Sequence, residues 1–448
     1  MIRKRFGFVF AASVVAALLF VGCGNGNKSP EAEKPTDGKI HLQLWHYFTA
    51  AQDAAITELC KRFEQANPNI MVTPIFQGNP MQLSQKLSSS LAATPANNPA
   101  VSTVYENWTS DYVEKGYLAP VSSFFDKEDG LSAEEQNDFV QVYRDSNTFD
   151  GKWYTMPFNK SMYLMFYNAD MFDAAGYKEA PKTLEEFVDC VKKCTVREGS
   201  RTKTYGFGAM LGGEVFTTFY FASGGDFLTS DSKTIAFDSP LAKDILQTLY
   251  DLQHPDKYIY ADSSYMTTPL ANKQIACYIY SSAGLPFLDK QIGTRFRWAV
   301  APVPGKAGTE GKQLMQGTNL GIFNNKSPEE IEASWKLVKF LTSRESSVYW
   351  ATNTGYMPIR YSMMEDPNVK AYMDKNPSYK IAAEQVFANH GKIEPSIAVW
   401  EGIRTNITDM VDTTISKGTA PADALKIAVD KATQKLNEVE ANKAARAK

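Results

Sequence analysis

Beyond residue 39 the chain alternates two hydrophobic rhythms. Ile40-His41-Leu42-Gln43-Leu44-Trp45 switches between apolar and polar at each step, which predicts a half-buried strand. From about Gln52 to Ala66, Ile56, Leu59, Cys60 and Phe63 fall on one face of a helix, and Asn67-Pro68-Asn69 ends it. A strand over 70–76, a helix over 81–93 and an apolar run over 100–105 complete a βαβαβ order. That order implies a parallel sheet with helices packed on its faces. In such sheets ligands gather beyond the carboxyl ends of the strands. Three segments thereby become candidates: Trp45-His46-Tyr47, Gln77-Gly78-Asn79 and Glu106-Asn107-Trp108.

The second half repeats the style without repeating the sequence. Asp150-Gly151 is a hairpin turn signal. The apolar segment 163–167 leads to a helix start at Asn168-Ala169-Asp170, and Thr183 with Glu186 three residues on makes a capping box for a helix over 184–196. A strand over 275–280, a tight Ser281-Ser282-Ala283-Gly284 connection and a helix over 285–292 follow. Serine hydroxyls at a helix start suit an anion and equally suit ordinary capping. From Asp423, the spacing of Leu425, Ile427, Ala428, Ala432 and Leu436 predicts a helix packed on its own domain, before an alanine- and lysine-rich tail frays.

The N-terminus reads differently. Arg3, Lys4 and Arg5 precede an apolar run over 8–21 that ends at Gly22-Cys23. The run is shorter than the about 20 residues of a membrane span, and with its basic flank it predicts a signal peptide over 1–22. Leu19-Phe20-Val21-Gly22-Cys23 resembles the bacterial lipobox, with Phe20 where leucine is usual. The resemblance implies cleavage before Cys23 and acylation of that residue, hence an extracytoplasmic protein held to a membrane by lipid. Residues 23–38 then form the anchor and a polar, flexible tether.

The remaining roughly 410 residues make two or three domains by length. With 44% hydrophobic and 22% charged residues and a net charge of −3, nothing points to a nucleic-acid partner. The 22 Tyr, 26 Phe and 7 Trp suit a cleft lined with flat faces and hydroxyls. Cys60, Cys190, Cys194 and Cys277 are too few and too scattered for a disulfide framework or a zinc site, so no metal or other cofactor is expected. Cys190 and Cys194 share a helix face, where torsions disfavour a disulfide, and read as small half-buried residues. H-E-x-x-H, G-x-S-x-G and the phosphate-binding P-loop are absent, and the four histidines are scattered. A glycosidase would need two carboxylates facing across a cleft, and the sequence nominates no pair.

From about His41 onward the chain resembles the bacterial family-1 extracellular solute-binding proteins of ABC importers, and among them the glycerol-3-phosphate receptors. The resemblance rests on Phe63-Glu64-Gln65-Ala66-Asn67-Pro68, Met156-Pro157-Phe158-Asn159-Lys160-Ser161 with Phe166-Tyr167-Asn168, Pro181-Lys182-Thr183, Thr354-Gly355-Tyr356-Met357-Pro358 and Ile403-Arg404. It implies an α/β, two-lobed periplasmic-binding-protein fold, each lobe a mostly parallel sheet flanked by helices, with the ligand in the cleft. It also implies a monomeric receptor that catalyses nothing and delivers its solute to the permease subunits. Hinge crossings are expected near Asp150, Thr318 and Asp374, giving lobe one as 39–150 plus 319–374 and lobe two as 151–318 plus 375–448.

Carried over residue by residue, the resemblance implies a ligand set of Glu106, Ser161, Ser282, the Gly317 amide, Tyr356 and Arg404. A phosphate would meet Arg404, Ser282, Tyr356 and Gly317, and vicinal hydroxyls would meet Glu106. Trp45, His46, Lys160 and Trp400 are further candidates, the lysine as a second positive charge. Two departures stand out. Pro80 replaces a tyrosine of the related receptors, and Met210-Leu211-Gly212-Gly213-Glu214 lacks their tryptophan. A roomier pocket follows, suited to a glycerophosphodiester such as glycerophosphocholine or, alternatively, to a sugar stacked on Trp45 or Trp400.

Overall fold

The computed structural model describes residues 37–93 and 98–446, so the leader, Cys23 and nearly all of the tether lie outside the described residues. The alternating segment forms β1 (Ile40–His46), which pairs in parallel with β2 (Ile70–Phe76) and β3 (Val101–Val104). The helix between β1 and β2, Ala51–Ala66, buries Ala55, Ile56, Leu59, Cys60 and Phe63, the stripe its spacing predicts. The helix Pro80–Ala92 starts with proline in its first turn and a reciprocal Asn79–Gln82 capping box.

After this first βαβαβ unit the hairpin β4 (Thr148–Phe149) and β5 (Lys152–Trp153) turns at Asp150 and Gly151, both at positive φ. The 14-residue β6 (Thr155–Asn168) follows. Then come β7 (Val196–Glu198), β8 (Arg201–Met210), β9 (Ile259–Asp262), β10 (Ile275–Ser281), β11 (Trp298–Ala301), β12 (Gln313–Ile322) and β13 (Gly391–Ile393). β8, β9 and β10 form a second parallel set.

β6 joins the two sets. Over Thr155–Met162 it pairs antiparallel with β12, which itself pairs antiparallel with β3; over Tyr163–Tyr167 it pairs antiparallel with β10. The strand therefore passes from its β12 partner to its β10 partner at Met162–Tyr163, within one continuous ladder. β12 carries a register shift at Thr318/Asn319.

Three packed layers hold the fold. Leu42, Leu44, Ile56, Phe63, Leu337 and Trp350 fill one face of the first set of strands, and Leu83, Leu87, Val104, Tyr112 and Phe323 the other. Phe187, Phe207, Phe216, Leu246, Ile403 and Ile407 fill the outer face of the second. Cys190 and Cys194 belong to this last core. They are buried more fully than the half-burial their composition suggested, with sulfurs 4.0 Å apart. The C-terminal helix begins at Pro421 and continues to Arg446, past the point where fraying was expected.

Candidate functional site

A cavity of about 420 Å³ opens where the carboxyl ends of the parallel strands meet the exchange of β6 and β12. Its volume lies within the about 300–1,000 Å³ of small-molecule sites. Each lining segment arrives by a local rule. Glu106, Asn107 and Trp108 begin the helix Glu106–Glu114 directly after β3, where an acidic first turn suits the helix dipole. Pro80, Met81, Ser84 and Gln85 come from the helix after β2. Glu214 stands in the first turn of the helix Gly213–Ala222, after β8. Glu394 and Pro395 follow β13. The helix Trp400–Lys417 buries Trp400, Ile403, Ile407, Met410 and Val411, and its adjoining face brings Glu401 and Arg404 to the cavity.

Four carboxylates (Glu106, Glu214, Glu394 and Glu401) thus surround one guanidinium, and every one of the four is already held. Arg404 donates through Nη2 to Glu214, and its Nε lies 3.4 Å from Glu394. Glu394 above all, working against the cost of burial and with help from Glu214, holds the Arg404 charge firmly in place. Burial pushes the Glu394 carboxyl above the ordinary carboxylate range, and Arg404 opposes that rise. Glu394 Oε1 and the Trp400 indole N–H make no hydrogen bond of normal geometry, yet the indole is near enough to favour the ionised carboxyl. Asn107 donates to Glu401 at 3.0 Å, linking the helix after β3 to the helix Trp400–Lys417 across the mouth.

Glu106 is held from behind. Lys160 Nζ lies 2.5 Å from Glu106 Oε1 and donates to the Gly317 carbonyl at 3.3 Å, with the Tyr143 ring 5.5 Å away. Its side chain is 0% exposed. The expectation of a second charge offered to a phosphate is therefore corrected: the ammonium is consumed by Glu106 and the Gly317 carbonyl, which together make its burial tolerable.

Of the six residues carried over by resemblance, Glu106 and Arg404 line the cavity, and Ser161, Ser282, Gly317 and Tyr356 are not among its lining residues. Ser161 Oγ donates to the carbonyl of cavity-lining Gln316 at 3.4 Å. Ser282 Oγ accepts from the Met162 amide at 3.1 Å, so the helix-capping role in that turn falls to Ser281 instead. Gly317 has φ +126°, and an added Cβ would sit 2.0 Å from the Asn159 carbonyl oxygen. Tyr356 is buried, stacked on Trp350, with the Tyr47 hydroxyl and Asn159 as neighbours. Asn159 donates to Tyr47 at 2.8 Å and accepts from Thr318.

Trp45 and His46 do not line the cavity. Trp45 packs beside Leu83 and Trp108 and donates to Gln43, while His46 is buried and accepts from the Phe48 amide. Trp400 lines the cavity by one edge but is otherwise core, tilted on Phe227. The flat face that sequence reasoning left unassigned is Trp108, edge-on to Tyr105 at 5.0 Å. Position did nominate the segment holding Trp108 and Asn107, because both follow a parallel strand. Nothing in sequence marked Glu394 or Glu401. Among the described residues no cluster of three or more His, Cys, Asp or Glu is arranged to hold a metal ion.

Residues 58–377 match the bacterial extracellular solute-binding protein family. The sn-glycerol-3-phosphate-binding periplasmic protein UgpB of Salmonella typhimurium is 26% identical over 422 residues, covering 89% of this chain and 93% of the relative. The UgpB of Yersinia enterocolitica is 24% identical, covering 84% and 86%. Among solved structures, UgpB of Mycobacterium tuberculosis in complex with glycerophosphocholine superposes with TM-score 0.77 at 19% identity, covering 90% of this chain and 99% of that one. The GacH receptor of Streptomyces glaucescens, solved unliganded and with acarbose, gives 0.76 at 20%, covering 89% and 99%. Family, fold and cleft agree: the chain belongs to the bacterial extracellular solute-binding proteins, the extracytoplasmic receptors, not enzymes, that hand small molecules to ABC importers.

Proposed function

We propose that the solute is a glycerophosphodiester whose headgroup carries a cation, with glycerophosphocholine as the type compound. One observation carries this reading: four carboxylates and aromatic faces surround a single arginine. A glycerol 3-phosphate dianion entering there would add charge of the majority sign. A diester carries one negative charge for Arg404 and places its ammonium among Glu214, Glu394, Glu401 and the Trp108 face, where charge and ring quadrupole both favour it. Its glycerol hydroxyls then have Glu106 as acceptor. Pro80 and the tryptophan-free segment ending at Glu214 leave room for the headgroup. Ser161, Ser282, Gly317 and Tyr356 lie outside the cavity lining and, in this reading, reach the phosphate side only when the lobes close about the hinge.

A sugar is the second reading, favoured by the same paired carboxylates, which form a fixed acceptor array for neutral hydroxyls. A thermal-shift screen of the mature domain with glycerophosphocholine, glycerol 3-phosphate and maltose separates the readings, since a ligand that binds only the native state raises its melting temperature. Anchoring belongs to the same proposal: Cys23 carries the lipid, and three acyl chains exceed the two signals that stable membrane attachment needs. Cys23→Ser should abolish labelling by a radioactive fatty acid. Undiminished labelling would refute the anchor.

A further inference from the structure

Lys160, beside the cavity, is fully buried and so out of reach of any solute. An ammonium withdrawn from water is costly, and natural chains keep one only where a partner and hydrogen bonds compensate it. Here the compensation comes from two directions. Glu106 Oε1, on the helix after β3, accepts at 2.5 Å, and the Gly317 carbonyl on β12 accepts at 3.3 Å. Lys160 itself belongs to β6, immediately before the strand passes from β12 to β10. One side chain therefore ties a cavity-lining carboxylate to both strands of the exchange. Burial pulls the Lys160 ammonium below its ordinary range and Glu106 pulls it back, in keeping with a pair that stands or falls together.

We propose that Lys160 is a positioning residue for ligand binding: by occupying Oε1 of Glu106 and anchoring it to the Gly317 carbonyl, it turns the other carboxylate oxygen to the solute. It also fixes how strongly the pocket accepts hydroxyls, because a carboxylate half-satisfied from behind has one defined direction left for a donor. This rests on the reading that the cavity takes the solute and that Glu106 meets its hydroxyls.

A double-mutant cycle read by calorimetry tests it, with glycerophosphocholine and maltose as probes and Lys160→Met, Glu106→Gln and the double variant as proteins. Because Lys160 acts through Glu106, Lys160→Met should weaken binding about tenfold in the wild-type background but change it by less than about twofold once Glu106 is glutamine. Equal losses in both backgrounds would show a merely structural lysine and overturn the proposal, as would no loss in either. If Lys160→Met does not fold, Lys160→Arg carries the same cycle: the charge is kept but the bulkier guanidinium displaces the carboxylate, so the wild-type background should again lose about tenfold. Undiminished affinity in that variant also overturns it. If the wild type takes up neither probe, the ligand assignment fails by itself. The crystal structure of the ligand-free Lys160 variant then decides: a shifted Glu106 carboxylate supports positioning, and an unmoved one contradicts it.

Discussion

In the proposed function Arg404 would meet the phosphate from a crowded position, since Glu214 and Glu394 already share its guanidinium. Charge-assisted bonds contribute about 1.5–3 kcal/mol each, so Arg404→Ala should weaken glycerophosphocholine binding at least about tenfold in calorimetry. Arg404→Lys should recover only part, because a point charge cannot bridge two carboxylates and a phosphate as the planar fork does. Full recovery by lysine would contradict bidentate anchoring. Glu394 gives a pH signature. Its folded carboxyl is raised above the ordinary 4.5, so the native state holds this proton more tightly than the unfolded chain does. The resulting stabilisation is present below 4.5 and lost as pH rises through the folded value. The ligand-free wild type should therefore melt progressively lower relative to Glu394→Gln as pH is raised from 4.5, and a pH-independent difference would contradict the burial argument. Affinity for a cationic headgroup should rise over the same window, as the carboxylate forms. Arg404 was legible through the resemblance, but its partners were not: Glu394 and Glu401 sit in no motif, and only the fold brings them beside it.

At the scale of elements, the hydrophobic rhythm located what was amphipathic and missed what was buried on both sides. β1, the helix after it and the capped helix Leu184–Cys194 follow their patterns, and the Thr183–Glu186 box forms as predicted. β6 was legible only at its apolar end, 163–167, because Pro157, Asn159, Lys160 and Ser161 break the pattern of a strand that is nevertheless buried along nearly its whole length. Those polar side chains are satisfied by partners distant in sequence: Tyr47, Glu106 and Gln316. β12 hides for the same reason, with Gln316, Gly317, Thr318 and Asn319 at its centre. Gly317 is the position where this pairing tolerates no side chain. Its φ of +126° and the backbone oxygen 2.0 Å from an added Cβ leave no relaxation through a side chain. Gly317→Ala should cost about 1–3 kcal/mol or more in denaturant unfolding and weaken ligand binding. A variant with wild-type stability would show that β12 shifts freely at Thr318/Asn319.

For the whole molecule, βαβαβ order and the post-strand rule placed the cleft, whereas the joining of the lobes depended on two long strands whose polar centres conceal them. The resemblance supplied Glu106 and Arg404, which line the cavity, along with four residues that do not. The charge balance that now distinguishes one solute from another came from structure alone. The central claim is that this pocket, acidic around a single arginine, selects a diester bearing a cation. Calorimetric titration of the wild type with glycerophosphocholine, glycerol 3-phosphate and maltose under one set of conditions tests it most directly. Glycerophosphocholine should bind at least about tenfold (1.4 kcal/mol) more tightly than glycerol 3-phosphate, with no measurable heat from maltose. Tight maltose binding with no heat from either phosphate compound would contradict the account.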